Sequence, residues 1–178
     1  MRLRARYGSN PRVRIVDEMS VLRGRSRIDV AVINGRLEGF EIKSEYDSLA
    51  RLQGQARAYE QVFDRLTVIC AERHLAAARH GLPEWWGLEV AQLEGAKVSI
   101  VRDRAPRANR QTDPRALAQL LWREEALVVL EGLGLDRGLR TKPRRVLWAA
   151  LAEAMPARRL AAVVRDQLRA REDWLTAG

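Results

Sequence analysis

The segment RIDVAVINGRLEGFEIKS, residues 27–44, constrains this chain more than any other. Two runs rich in β-branched and aromatic residues, 27–33 and 37–43, flank an Asn34-Gly35 turn signal, so the segment reads as a β-hairpin. Residues two apart in a strand share a face. Ile28, Val30 and Val32 therefore fall on one side of the first run and Arg27, Asp29 and Ala31 on the other, while Phe40 and Ile42 oppose Glu41 and Lys43 in the second. A two-residue Asn34-Gly35 turn sets Asp29 across from Phe40. A three-residue loop, Asn34-Gly35-Arg36, sets Asp29 across from Glu41. Only the second gathers the apolar side chains on one face and the charges on the other, so burial selects the three-residue loop. It also places two carboxylates side by side, which is unfavourable unless a cation lies between them. Lys43 can supply one. A divalent metal bound to oxygen ligands supplies a stronger one, and one of its waters can be activated for attack on phosphorus.

The rest of the chain divides unequally. Residues 12–19 are ambiguous between helix and strand, a helix is expected over 48–63, and RLTVICA, 65–71, reads as a buried strand. A helix over 72–80 and short strands over 88–93 and 96–102, joined by a turn at Glu94 and Gly95, complete a sheet-containing unit, 1–102. The polar, proline-containing stretch 103–114 reads as a linker, and 115–178 reads as wholly helical, with helices over 115–131, 143–154 and 157–173. In the helix after the hairpin, Ser44, Asp47 or Ser48 can cap the start, and Leu52, Ala56, Tyr59, Val62 and Phe63 form an apolar stripe. Gln55 stands one turn before Tyr59, so a polar partner is expected beside that stripe.

Composition narrows the chemistry. With one cysteine, Cys70, and two histidines, a cysteine or histidine metal site is not expected, which leaves carboxylates and hard cations such as magnesium or manganese. No apolar run approaches the roughly eighteen residues of a membrane span, and no signal-peptide pattern opens the sequence, so the cytoplasm is the expected compartment and no membrane partner is expected. The net charge of +9 rests on 29 arginines and three lysines. Guanidinium groups make bidentate contacts to phosphate, so nucleic acid is the first partner to consider.

Asp29 followed by Glu41-Ile42-Lys43 on the next strand resembles the PD-(D/E)XK signature of restriction-endonuclease-like nucleases, and Gln55-Ala-Arg-Ala-Tyr59 resembles the Gln-x-x-x-Tyr element of the RecB-type branch. The resemblance covers roughly residues 10–102 and departs from the family name by carrying Arg27-Ile28 before the aspartate. It implies an α/β fold with a restriction-endonuclease-like core, a mixed central sheet flanked by helices in αβββαβ order, here with a C-terminal all-helical extension. It implies a metal-dependent nuclease, with Asp29 and Glu41 as ligands of magnesium or manganese and Lys43 orienting the attacking water. Glu18, with Asp17 as its rival, would be an auxiliary ligand from the first helix, the Ile42 carbonyl a further ligand, and Gln55 and Tyr59 the support. The wider sequence also resembles small uncharacterised bacterial proteins of this superfamily.

Other candidates are weaker. Arg51 and Arg57 follow the site on the same helix and can meet a phosphate or simply face water. Arg140, Lys142, Arg144 and Arg145 lie near a helix start, where phosphate is welcome, and loosely resemble a DNA-binding module. A lid or a homodimer interface explains the leucines and tryptophans of that region equally well. Trp85 and Trp86 can stack bases or pack under a loop, and His74 and His80 receive no role. The leading expectation is cleavage of DNA. The alternatives are a non-catalytic nucleic-acid-binding or regulatory protein on a nuclease scaffold, and an RNA- or tRNA-directed toxin nuclease.

Overall fold

The computed structural model describes residues 2–7, 10, 12–95, 97–172 and 174. Helix α1 (Arg2–Tyr7) precedes strands β1 (Arg14–Val21), β2 (Ser26–Ile33) and β3 (Leu37–Lys43), helix α2 (Leu52–Tyr59) and strand β4 (Arg65–Ala71). A 3-10 turn, Glu72–His74, leads into α3 (Leu75–Gly81), and β5 (Gly87–Glu94) and β6 (Lys97–Arg104) follow. The ambiguous 12–19 segment is a strand. The six strands lie in chain order in one mixed sheet: β1, β2 and β3 are antiparallel, β3, β4 and β5 are parallel, and β5 and β6 are antiparallel. The elements from α1 to β4 follow in αβββαβ order, but the first helix is Arg2–Tyr7 and not the Glu18 segment where the resemblance put it, and the chain is an α/β protein. Positions 96 and 173, at the limits of two expected elements, lie outside the described residues.

The β2–β3 loop has three residues. Ile33 pairs with Leu37, Val32 with Glu38, Ala31 with Gly39 and Val30 with Phe40, leaving Asn34, Gly35 and Arg36 between the strands. Gly35 takes φ +91°, a conformation open to glycine, and the Asn34 N–H donates to the Arg36 carbonyl at 3.0 Å. The expected separation of an apolar face from a charged one does not hold, because this sheet is covered on both sides. Ala31, Ile33 and Leu37 join one core with Tyr59 and Phe63, whereas Val30, Val32 and Phe40 form a second cluster with Ile69, against which Tyr7, Val13 and Ile15 pack. Ile28 belongs to the first core, not with Val30. The alternation shifts by one residue near the middle of both strands: β1 buries Val16 and Met19, three apart, and exposes Asp17 and Glu18 between them. Glu18 has φ +57°, a left-handed conformation that costs a non-glycine residue on the order of 1–2 kcal/mol.

Helix α2 is shorter than expected, starting at Leu52 with no side-chain cap at Arg51. Asp47 instead accepts the Ser44 N–H at 2.7 Å and the Ser44 hydroxyl at 2.6 Å, bracing the β3–α2 loop. The long helix expected over 115–131 is two helices, α4 (Pro114–Ala118) and α5 (Arg123–Gly132), followed by α6 (Arg144–Ala154) and α7 (Ala157–Ala170). Asp113 caps α4, accepting the N–H groups of Arg115 and Ala116. Leu117, Leu130, Leu147, Leu160 and Leu168 share the core of Ile28 and Tyr59, so the C-terminal helices pack on the sheet. The stretch between β6 and α4 is an extended strap. Its Arg107, Asn109 and Asp113 N–H groups donate to the carbonyls of Trp85, Asp64 and Gln61, each at 2.8 Å.

Candidate functional site

At the far end of the hairpin from its loop, the register of β3 aims Glu41 and Gly39 toward α2. Glu41 is 1% exposed. Its Oε1 lies 2.8 Å from Lys43 Nζ, and its Oε2 lies 3.0 Å from the Tyr59 hydroxyl. That hydroxyl also lies 2.6 Å from the Arg27 carbonyl, and Gln55 Nε2 donates to it at 3.3 Å. A phenol has one proton to donate, so Tyr59 serves either the Arg27 carbonyl or Glu41 at a given moment. Gln55 Oε1 is buried without a partner among the described residues.

Asp29 is held differently. The β2–β3 ladder ends at Val30 and Phe40, and beyond it the Asp29 carboxylate accepts the Ile42 N–H at 2.6 Å. Burial pushes Asp29 upward in pKa, opposed by the Ile42 N–H and Lys43 and reinforced by Glu18 and Asp47. Burial likewise raises Glu41, with its hydrogen bond to Lys43 pulling the other way and the Asp29 charge adding to the rise. The Tyr59 hydroxyl is raised by burial and by the adjacent Glu41, so it acts as a hydrogen-bond donor and not as a phenolate.

Five of the expected site residues, Asp29, Glu41, Lys43, Gln55 and Tyr59, are thus brought together. Glu18 is not on a helix. It sits on β1, half exposed, with its carboxylate 2.5 Å from Arg27 Nε, and its charge adds to the rise in the Asp29 pKa. Among the described residues no group of three or more His, Cys, Asp and Glu side chains is arranged to hold a metal. Two carboxylates still fit a hydrated magnesium, which is commonly bound through one or two of them and keeps several waters. Both carboxylates are disfavoured as anions by burial, and Glu41 also by the Asp29 charge, which a dication would reverse, and the orphan Gln55 oxygen adds an unused acceptor beside Tyr59. Ile42, whose carbonyl the resemblance adds to the ligand set, lies between Glu41 and Lys43.

The other candidates separate. Arg51 and Arg57 are exposed on α2 and just before it. Arg140 is tied to Glu131 at 2.7 Å and Asp136 at 2.8 Å, so it does not join a free basic cluster. Arg144 lies over the Trp148 ring, while Lys142 and Arg145 face solvent. Trp86 is fully buried, donating to Glu60 at 3.1 Å, and is unavailable to a base. Sequence reasoning missed His74, a buried residue whose Nε2 lies 3.0 Å from the carbonyl of Ser44, the residue after Lys43. The signal was there: Lys43 pairs with Cys70 in the parallel β3–β4 ladder, so the residues just beyond both strand ends must meet.

A mixed six-stranded sheet with a buried glutamate and a half-buried lysine at the end of its third strand, beside a half-buried aspartate of the second strand and a buried tyrosine of the following helix, defines an α/β protein with an acidic, lysine-bearing centre. The chain belongs to the bacteriophage P4 protein cII family, which it matches over residues 2–174. It is 44% identical to Protein cII of Enterobacteria phage P4 over 59 residues, a match spanning 33% of this chain and only 22% of that protein. A protein of unknown function from Silicibacter pomeroyi shares 22% identity at a TM-score of 0.41, over 90% of this chain and 82% of that one. No helix among the described residues is long and apolar enough to cross a membrane.

Proposed function

We propose that this chain hydrolyses phosphodiester bonds of nucleic acid with magnesium or manganese, with DNA as its substrate and the cytoplasm as its place of action. One observation carries the reading: Asp29, Glu41, Lys43, Gln55 and Tyr59, from three separate elements, gather in one partly buried polar cluster at the end of β3. A divalent cation bound there would activate water and offset charge on phosphorus. Asp29 and Glu41 are the residues that would hold it. The Lys43 ammonium, 13% exposed, is placed to orient a water or to stabilise charge developing on a phosphate oxygen. Tyr59 and Gln55 fix the Glu41 carboxylate against α2, which limits its rotamers. Incubation of the purified protein with manganese and a panel of double-stranded DNA, single-stranded DNA and RNA tests this. Cleavage should vanish in Asp29→Asn and Glu41→Gln variants with unchanged circular dichroism, and no cleavage across the panel defeats it. The RNA arm of the panel reads the toxin-nuclease alternative, which differs only in substrate.

A second reading is a nucleic-acid-binding regulatory protein that does not cleave. It is favoured by the pairing of Lys43 with Glu41 and of Glu18 with Arg27, which leaves two carboxylates where the resemblance implies three. The phage P4 cII kinship supports this reading more than it supports cleavage. It expects binding that falls steeply with salt and is unchanged in Lys43→Met.

A further inference from the structure

We infer that the groove where the hairpin loop, the strap and α7 converge is an anchoring track for a nucleic-acid phosphodiester backbone. The inference rests on nucleic acid being the partner and adds a second surface for it, away from the Asp29–Glu41 centre.

The groove encloses about 560 Å³. Arg36 comes from the β2–β3 loop, Arg65 from the start of β4, Arg110 from the strap, and Arg158 and Arg165 from the first two-thirds of α7. These positions are spread through the sequence from residue 36 to residue 165, so their convergence is a product of the fold and not of a local basic run. The one acidic side chain lining the groove is Asp64, and it is already engaged. It accepts the Leu37 N–H at 2.7 Å and pairs with Arg165 at 3.0 Å, which fixes the hairpin loop to α7. Arg36, Arg65, Arg110 and Arg158 have no carboxylate partner among the described residues. Arg65 Nε is buried without any hydrogen-bond acceptor.

Four like charges gathered without counter-charge repel one another, and the arrangement is relieved by a polyanion. The ligand class follows from the side chains. All five cations are arginines, whose planar forks match phosphate oxygens bidentately, and the surrounding Gly35, Ala157 and Ala161 leave room for a backbone to approach. Along β3 the groove begins beside Leu37, four residues before Glu41, or on the order of 13 Å at the usual strand rise. It therefore holds the polymer to one side of the acidic centre and does not overlap it.

The test compares two triple variants of the full chain with the same reduction in charge. One is Arg36→Gln, Arg110→Gln and Arg158→Gln in the groove. The other is Arg12→Gln, Arg25→Gln and Arg137→Gln at exposed positions outside it. Binding of labelled 20-mer duplex DNA, single-stranded DNA and RNA is measured across a salt series, with thermal melts confirming that both variants fold. Every arginine that neutralises a phosphate adds about one to the slope of log affinity against log salt, so the slope should fall by about three in the groove variant and by less than one in the control. Equal slopes in the two variants overturn the inference and make the groove arginines ordinary solvated charges. Wild-type protein that cleaves or binds nucleic acid while the two variants behave alike sinks this inference alone; wild-type protein that does neither sinks the functional reading as well.

Discussion

The Asp29 carboxylate lies 2.6 Å from the Ile42 backbone nitrogen, where the next rung of the β2–β3 ladder would stand. A side chain therefore continues the pairing that the backbones abandon after Val30 and Phe40. This lets the strands part while keeping the Ile42 N–H satisfied, and it fixes Asp29 beside the Glu41–Lys43 pair.

Because burial is the largest influence on Asp29 and raises its pKa, the native state binds its proton more tightly than the unfolded chain does. Stability attributable to this group therefore falls as pH rises from the ordinary value of 3.8 through the raised folded value. Asp29→Asn keeps an acceptor for Ile42 and removes the charge. The variant should match or exceed wild type at pH 7 in urea unfolding, and the difference should shrink toward pH 4. A pH-independent difference would contradict the assignment.

Removing the lysine is a different matter. Lys43→Ala leaves the Glu41 carboxylate, 1% exposed, without its cation, at a cost on the order of 3 kcal/mol. Adding Glu41→Gln to that variant should recover much of the stability, and a double-mutant cycle by denaturant unfolding measures the coupling. Additive effects would show that the pair is not mutually dependent.

Tyr59→Phe deletes one hydroxyl that meets Gln55, Glu41 and the Arg27 carbonyl. Burying those groups unsatisfied should cost about 1–3 kcal/mol. If the centre is catalytic, cleavage should also fall in conditions where the fold is intact by circular dichroism. A variant as stable as wild type would show that water replaces the hydroxyl.

Glycines separate two expectations. A Cβ at Gly39 would meet Leu66 Cδ2 at 2.7 Å and Phe63 Cδ1 at 3.1 Å, so Gly39→Ala should destabilise by about 1–3 kcal/mol. Gly54 in α2 has open space around it, and Gly54→Ala should stabilise by about 0.5–1 kcal/mol. Thermal melts of the two variants should move in opposite directions.

The sequence by itself determined the pieces whose signal is local. The three-residue loop expected for the hairpin is the one present, and with it the approach of Asp29, Glu41 and Lys43, although the apolar side chains it was expected to gather on one face are split between two cores. Helical spacing set Gln55 one turn before Tyr59, and β4 is the segment its apolar run marks. Alternation tells which side chains share a face of one element, but which faces are covered depends on segments far away in the chain. Only the tertiary structure decided that Glu41 is buried, because Tyr59 and Phe63 cover its side of the sheet while Phe40 packs on the other. It also decided that the strands change face near Glu18 and Asp29, and that Glu18, in a segment ambiguous between helix and strand and given to a helix only by the resemblance, lies on a strand and pairs with Arg27. The strap between β6 and α4, read as a linker, is ordered by hydrogen bonds to carbonyls of Gln61, Asp64 and Trp85. The arginine groove is the extreme case. Residues 36, 65, 110, 158 and 165 carry no mutual signal in sequence, and they meet because Asp64 ties the hairpin loop to α7.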